Sequence, residues 1–282
     1  MKFEKIKSHA KINLSLNILG KQKSKLHNLE TLVGFLDLHD EIFISKINVK
    51  NHIIRFTGNF SNKIPKKNTI SNLLKILDEM KKLKNQKYLI SIKKNIPKEA
   101  GLGGGSMNAS SLINYLVKRN KVQLTIKETQ NLCSKIGSDV ILGIDQKNLV
   151  LAYKNKIKKI KKNLKISTLL IKPNFGCSTK KIYSKVRAYS KPQFSKIKSK
   201  DINFNSLSKM KNDLEPISLK MYPRLAKLKE FFLNIDKNSY VRMTGSGSTI
   251  VGYFMSKKAA LNAKKLLKKK YKNYWCNLSK TI

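Results

Sequence analysis

Four glycines crowd into five positions of the run Ala100-Gly-Leu-Gly-Gly-Gly-Ser106, and this run narrows the possible folds more than any other segment. Glycine has no Cβ and reaches positive φ readily, so consecutive backbone N–H groups can turn inward on an anion. The flanks matter equally. Tyr88 to Ile92 reads as a short strand that leads through Lys94-Asn-Ile-Pro97 into the glycines. Ser106 to Val117 reads as a helix, with small residues first and then Leu112, Ile113, Leu116 and Val117 on one face. Strand, glycine run and helix in that order place backbone amides at a positive helix N-terminus, which suits a phosphate. No Gly-Lys-Ser/Thr follows, so the run is not a Walker P-loop. No acidic residue ends a second strand at the distance a dinucleotide fingerprint requires. A tight packed turn is the plainer alternative, but this many glycines closed by Ser106 at a helix start outweigh it.

The rest of the chain supplies strands and helices in mixed order. Ala10 to Ile18 alternates Ile12, Leu14, Leu16 and Ile18 with polar neighbours, the period of a half-buried strand. A polar stretch from Gly20 to Ser24 follows, then strands at Leu29 to Leu38 and Glu41 to Ser45, so the first forty-odd residues read as a β-hairpin. Asn68 to Lys82 carries apolar residues at 70, 73, 74, 77 and 80, which is helical spacing. Further helices are predicted at Ile126 to Ile136, Pro223 to Leu233 and Lys257 to Leu267. Further strands are predicted at Leu149 to Tyr153, Ser167 to Pro173, Tyr240 to Met243 and Thr249 to Phe254. The lysine-rich stretch Tyr153 to Lys165 marks a boundary between domains 1–160 and 161–282, and the basic segment Lys185 to Asn205 reads as a mobile loop. No internal repeat is evident. The fold class is α+β in two lobes.

Composition excludes several classes. At 282 residues with 40% hydrophobic content, the chain has enough apolar material for real cores. Its three cysteines, Cys133, Cys177 and Cys276, lie far apart without a CxxC pair, which argues against a disulfide framework or zinc site and for a reducing, cytoplasmic location. Neither a signal-peptide core at the start nor an apolar run of membrane-spanning length occurs, so a soluble protein is expected. The net charge of +44 alone suggests nucleic acid. Yet lysine is spread throughout and outnumbers arginine heavily, alongside abundant asparagine and isoleucine, as A/T-rich codons produce. The charge is therefore read as solvated surface that would still attract a polyanionic substrate.

Other residues are ambiguous by themselves. The second glycine run, Met243-Thr-Gly-Ser-Gly-Ser248, fits a hairpin turn as well as a clamp over phosphate or substrate. Asp139, in Gly137-Ser-Asp-Val140, fits a helix cap as well as a base. Lys11 fits a solvated strand lysine, or a charge that neutralises phosphate in phosphoryl transfer. His27 by default is a surface histidine.

In their order, these segments resemble the GHMP kinase superfamily along almost the whole chain. Ala10-Lys-Ile-Asn-Leu14 is similar to its opening strand, and His27 to Leu32 with Leu36-Asp-Leu-His-Asp40 to the substrate-side segment. Pro97 to Met107 resembles the ATP loop, Gly137 to Val140 the catalytic-aspartate motif, Asn212-Asp-Leu-Glu215 a C-terminal helix signature, and Met243 to Ser248 the third glycine motif. Lys11 and His-x-Leu-Glu-Thr point, within the superfamily, to the branch acting on a cytidine diphosphate-linked methylerythritol in non-mevalonate isoprenoid synthesis.

The resemblance implies two lobes, each a mixed or antiparallel sheet with helices, and an active site in the cleft between them. It implies ATP and Mg²⁺ as cofactors and a small-molecule substrate. The enzyme would need no specific nucleic acid or membrane partner and would be a monomer or weak homodimer. Asp139 would accept the hydroxyl proton, and Lys11 would orient and polarise the hydroxyl. Pro97, Lys98, Glu99, Ala100, Gly101, Leu102, Gly103, Gly104, Gly105, Ser106 and Met107 would wrap the triphosphate, with Ser106 touching phosphate or Mg²⁺ and Asn68 near the adenine. His27 would hydrogen-bond the cytosine and Tyr183 would stack on it, while Asn13, Thr179, Gly245 and Ser246 complete the substrate side. Three positions depart from the pattern: Leu26 replaces an aromatic, Ile141 a proline, and Lys154-Asn-Lys-Ile-Lys-Lys a glycine-containing stretch. A homoserine- or mevalonate-type kinase is the rival reading, but it has no evident use for both His27 and Tyr183. A basic, non-catalytic nucleic-acid-binding protein on the same fold leaves Lys11 and Asp139 unexplained.

Overall fold

The computed structural model describes residues 2–21, 27–146, 148–153, 156–162, 164–194 and 197–282; Leu26, Lys154 and Asn155 lie outside them. In chain order the elements are β1 (Glu4–Lys21), β2 (His27–Ile47), β3 (Ile53–Thr57), α1 (Thr69–Glu79), β4 (Lys87–Lys93), α2 (Gly104–Lys118) and α3 (Ile126–Ile136). Then come β5 (Leu149–Tyr153), β6 (Lys156–Ile160), β7 (Ser167–Lys172), α4 (Thr179–Tyr183), α5 (Phe204–Ser208), α6 (Leu214–Met221) and α7 (Pro223–Leu233). The chain ends with β8 (Tyr240–Met243), β9 (Ile250–Phe254), α8 (Lys257–Lys270) and β10 (Trp275–Lys280). The α+β class holds. The two strands expected after residue 28 are one continuous strand, β2.

The compact units interleave along the chain, whereas the sequence suggests a single cut near residue 160. One unit takes Met1–Lys11, Leu38–Lys98 and Gly103–Gln146; the other takes Ile12–Asp37, Glu99–Leu102 and Lys147–Ile282. The chain therefore changes unit directly after Lys11 and directly after Leu102. The lysine run expected as a boundary contains β6, which pairs antiparallel with β5 from Leu149↔Ile160 to Tyr153↔Lys156. Its lysines are outward residues of a strand, which composition alone cannot tell from a linker.

In the first unit, Glu41–Ile47 of β2 pairs antiparallel with β4, and β3 pairs parallel with β4. Ile42, Ile44, Ile90 and Ile92 from these strands pack with Leu73 and Leu77 of α1, Leu112 and Leu116 of α2, and Leu132 of α3. The helices start on local signals. Asn68 caps α1, its side chain accepting from the Ile70 and Ser71 amides, and Thr125 with Glu128 forms a capping box on α3.

In the second unit, four antiparallel strands run in the order β10-β7-β9-β8. Leu169, Ile171, Ile250 and Phe254 pack with Phe232 of α7 and Leu267 of α8. Residues 12–18 of β1 are buried on both faces, not half-buried as their alternation suggests. Two amides of the polar face are tied to the neighbouring strand. Asn13 Nδ2 donates to Thr31 Oγ1 at 2.9 Å and Asn17 Nδ2 to Glu30 Oε2 at 3.1 Å.

The segment expected as a mobile loop is pinned at several points. Glu30 accepts from the Gln193 and Phe194 amides at 2.8 and 2.9 Å, Ser190 N donates to Ile18 O at 2.8 Å, and Phe194 and Ile202 are buried. Cys133, Cys177 and Cys276 are free thiols.

Asn68→Ala is expected to cost about 1 kcal/mol, the usual worth of such a cap, and to lower the thermal midpoint by about 3 °C in a calorimetric scan.

Candidate functional site

The first unit holds the pair expected to carry the chemistry. Lys11 Nζ lies 3.3 Å from Asp139 Oδ2, with the lysine side chain 5% exposed and the aspartate 41%. A buried ammonium thus faces a carboxylate that a ligand can reach. The lysine owes its course to Gly103. That residue is left-handed at φ +68°, and a Cβ on it would stand 2.6 Å from Lys11 Cγ. Gly103 is also the N-cap of α2, whose first amides receive no side-chain cap. Gly104 and Gly105 therefore form the first helical turn, two residues earlier than the expected start at Ser106.

The surroundings of that turn are fixed by neighbouring loops. Thr69 Oγ1 donates to Gly105 O at 2.9 Å, and Lys98 Nζ donates to Asn62 O. Ser106 Oγ lies 3.9 Å from where a Gly137 Cβ would stand, so its hydroxyl faces the Gly137-Ser-Asp139 turn. Ile141, in place of the expected proline, begins a short 3₁₀ turn to Ile144, with Leu142 N donating to Asp139 O at 3.2 Å.

The second unit brings the two glycine runs together. A Cβ on Gly101 would stand 2.1 Å from Thr244 O, so backbone touches backbone there. Asn13 N donates to Thr244 Oγ1 at 3.0 Å, and Thr244 Oγ1 donates to Gly101 O at 3.2 Å. One hydroxyl thereby joins the opening strand to both runs. Asn212 Nδ2 supports the second run through Met243 O and Gly245 O, both at 2.8 Å, and Glu215 Oε1 accepts from Met243 N at 2.8 Å. Ser246 and Thr179 share a hydroxyl hydrogen bond of 2.8 Å.

His27 and Tyr183 meet in the same unit, their ring centroids 5.1 Å apart and tilted by 40°. At that separation the rings are each other's neighbours, so a base would stack from outside and not be held between them. Burial first, and the nearby Lys21 charge second, push the His27 ring below its usual 6.5. At neutral pH it is an uncharged imidazole with one N–H donor and one acceptor.

The remaining expected residues divide by what their side chains do. Ala100, Leu102 and Met107 are buried, as is Pro97, and offer a ligand only backbone. Lys98 and Glu99 are exposed. The Asn68 side chain is engaged in capping, and its Nδ2 donates to Pro65 O and Lys66 O at 3.0 and 3.1 Å. Thr244, Asn212 and Glu215 are supports that fall within the sequence motifs, which give them no role of their own. The signal for Asn212 and Glu215 is the short cluster Asn212-Asp-Leu-Glu215 at the start of α6, and that for Thr244 is its place in the second glycine run.

Comparison with known proteins agrees with this geometry. Residues 68–149 match the GHMP kinases N terminal domain and residues 196–273 the GHMP kinases C terminal domain. A 4-diphosphocytidyl-2-C-methyl-D-erythritol kinase from Pelagibacter ubique is 50% identical over 278 residues, covering 99% of both chains. A kinase of the same name from Fusobacterium nucleatum is 34% identical, covering 87% of this chain and 86% of its own. Among solved structures, a 4-(cytidine 5′-diphospho)-2C-methyl-D-erythritol kinase superposes with a TM-score of 0.77 at 20% identity, covering 98% of this chain and 99% of its own. A homoserine kinase from Cytophaga hutchinsonii superposes at 0.72 and 17% identity, covering 100% and 95%. Kinases with different acceptors thus share this fold, and the fold does not choose the acceptor.

In an NMR titration the His27 ring should show a midpoint below 6.5, the value of an unperturbed imidazole. A midpoint above it would mean the ring is not desolvated as described.

Proposed function

This chain belongs to the GHMP kinases, and from that premise we propose that it phosphorylates the 2-hydroxyl of 4-(cytidine 5′-diphospho)-2-C-methyl-D-erythritol with ATP, giving the 2-phosphate and ADP. The step belongs to non-mevalonate isopentenyl diphosphate biosynthesis. The observation that carries this reading is the 50% identity, over 99% of both chains, to a kinase of that name. The paired rings of His27 and Tyr183 support it, because a pyrimidine offers an edge to the neutral imidazole and a face to the phenol.

In this reading the unprotected amides of α2 and the glycine run hold the triphosphate, as helix N-termini hold anions. Asp139 takes the proton from the 2-hydroxyl while that oxygen bonds to the γ-phosphorus. The bond from the γ-phosphorus to the bridging oxygen breaks, and ADP leaves. Lys11 orients the hydroxyl and offsets the charge on the equatorial oxygens. Asn13, Thr179, Gly245 and Ser246 line the substrate side.

The donors suit Mg²⁺. Among the described residues no group of three or more His, Cys, Asp and Glu is placed to hold a metal ion. Mg²⁺ commonly takes one or two protein oxygens and otherwise waters and phosphates. The Ser106 hydroxyl and the Asp139 carboxylate are oxygens of that kind. When bound, the ion neutralises charge on the β- and γ-phosphates.

No helix among the described residues is long and apolar enough to cross a membrane. The reading takes the enzyme as cytoplasmic, where ATP is abundant. It takes it also as a monomer or weak homodimer.

A coupled ADP-release assay offering the cytidyl compound, homoserine and mevalonate tests the acceptor. Turnover of the first alone is expected, and turnover of another without it would sink the assignment. Asp139→Asn should reduce kcat by about a hundredfold or more while ATP still binds. A fully active variant would remove the base role.

A further inference from the structure

Two lysines are buried beside the start of α2, and only Lys11 has a part so far. The other, Lys94, is 4% exposed and forms an ion pair with Asp40, which is 0% exposed. The carboxylate is fully engaged. Oδ2 accepts from Lys94 Nζ, and Oδ1 accepts from the Asn95 and Ile96 amides at 2.7 and 2.9 Å. One buried side chain thus holds three successive residues, and these lead directly into Pro97 and the glycine run. The backbone is fixed as well, with Lys94 N donating to Thr57 O at 2.7 Å.

The ammonium comes close to α2. A Cβ on Gly104 would stand 3.3 Å from Lys94 Nζ and 3.2 Å from Ile96 Cγ2. Electrostatics makes this an odd place for a cation. A helix N-terminus carries partial positive charge, so an ammonium there is repelled. Burying an ion pair in a dry interior is seldom a net gain over packed apolar residues. Stability alone therefore does not account for the arrangement. An anion at the N-terminus of α2 does account for it.

We propose that Asp40 and Lys94 are positioning residues for nucleotide binding. Asp40 fixes the approach to the glycine run, and holds Lys94 so that its charge faces the phosphates at Gly103 and Gly104. This rests on the reading that α2 receives the ATP triphosphate. Lys94 supplies positive charge from behind the helix start, and Asp40 balances that charge when the nucleotide is absent.

The test uses full-length enzyme with three substitutions: Lys94→Met, the double variant Asp40→Leu with Lys94→Met, and the charge-keeping Lys94→Arg. ATP affinity is measured by calorimetric titration, KM for ATP and for the cytidyl substrate by steady-state kinetics, and folding by thermal midpoint. Lys94→Met strands the Asp40 carboxylate and is expected to melt lower. The double variant strands no charge and is expected to recover much of that loss. In both, the ATP Kd is expected to rise about tenfold or more, the loss of one charged contact, with the KM for the cytidyl substrate unchanged. Lys94→Arg is expected to keep most of the ATP affinity. A folded double variant with wild-type ATP Kd would overturn the proposal, as would equal rises in both KM values. Wild-type enzyme that binds no ATP would instead overturn the reading on which the proposal rests.

Discussion

The stem of Lys11 crosses Gly103 where a side chain would stand 2.6 Å from its Cγ, and most of the first unit's chemistry follows from that contact. An ammonium is normally kept in water, so burying one demands a partner and a path for four methylenes. Asp139 is the partner and the bare face of a left-handed glycine is the path. The same glycine caps α2 and leaves its leading amides without a side-chain cap. One residue without a Cβ therefore sets both the position of the Lys11 charge and the start of a helix whose leading amides are open. In the second unit Gly101 and Thr244 show the same economy, since backbone can lie on backbone only where no side chain intervenes.

Much of the fold was legible because periodicity reports burial. The predicted limits of Ile126–Ile136 and Pro223–Leu233 match the helices residue for residue. What periodicity missed was short or exposed. β3, Ile53–Thr57, alternates exposed and half-buried positions at a sheet edge, and α4 is barely more than one turn. β1 misled differently. Its apolar residues alternate as in a half-buried strand, yet Asn13, Ser15 and Asn17 are buried too. A polar residue that folding buries, as Asn13 is against Thr31, looks in sequence like a polar residue in water.

The site was legible as residue types but not as pairs. Lys11, His27 and Asp139 each had an unremarkable alternative, and spacing could not choose between them. Folding decides by bringing Lys11 to Asp139 and His27 to Tyr183, contacts between residues far apart in the chain. Supports such as Asn212 and Glu215 were harder still, because what they hold is backbone, and backbone leaves no mark in composition.

β6 carries Lys156, Lys158 and Lys159 on a strand that, among the described residues, ends its sheet beside β5. An open strand edge is a template for another chain, and two such edges in flat register can join molecules into a polymer. Rows of ammonium groups resist that approach, since a second copy would bring its own row against the first. The lysines that make this stretch resemble a linker are thus of the kind with which sheet proteins commonly blunt an open edge.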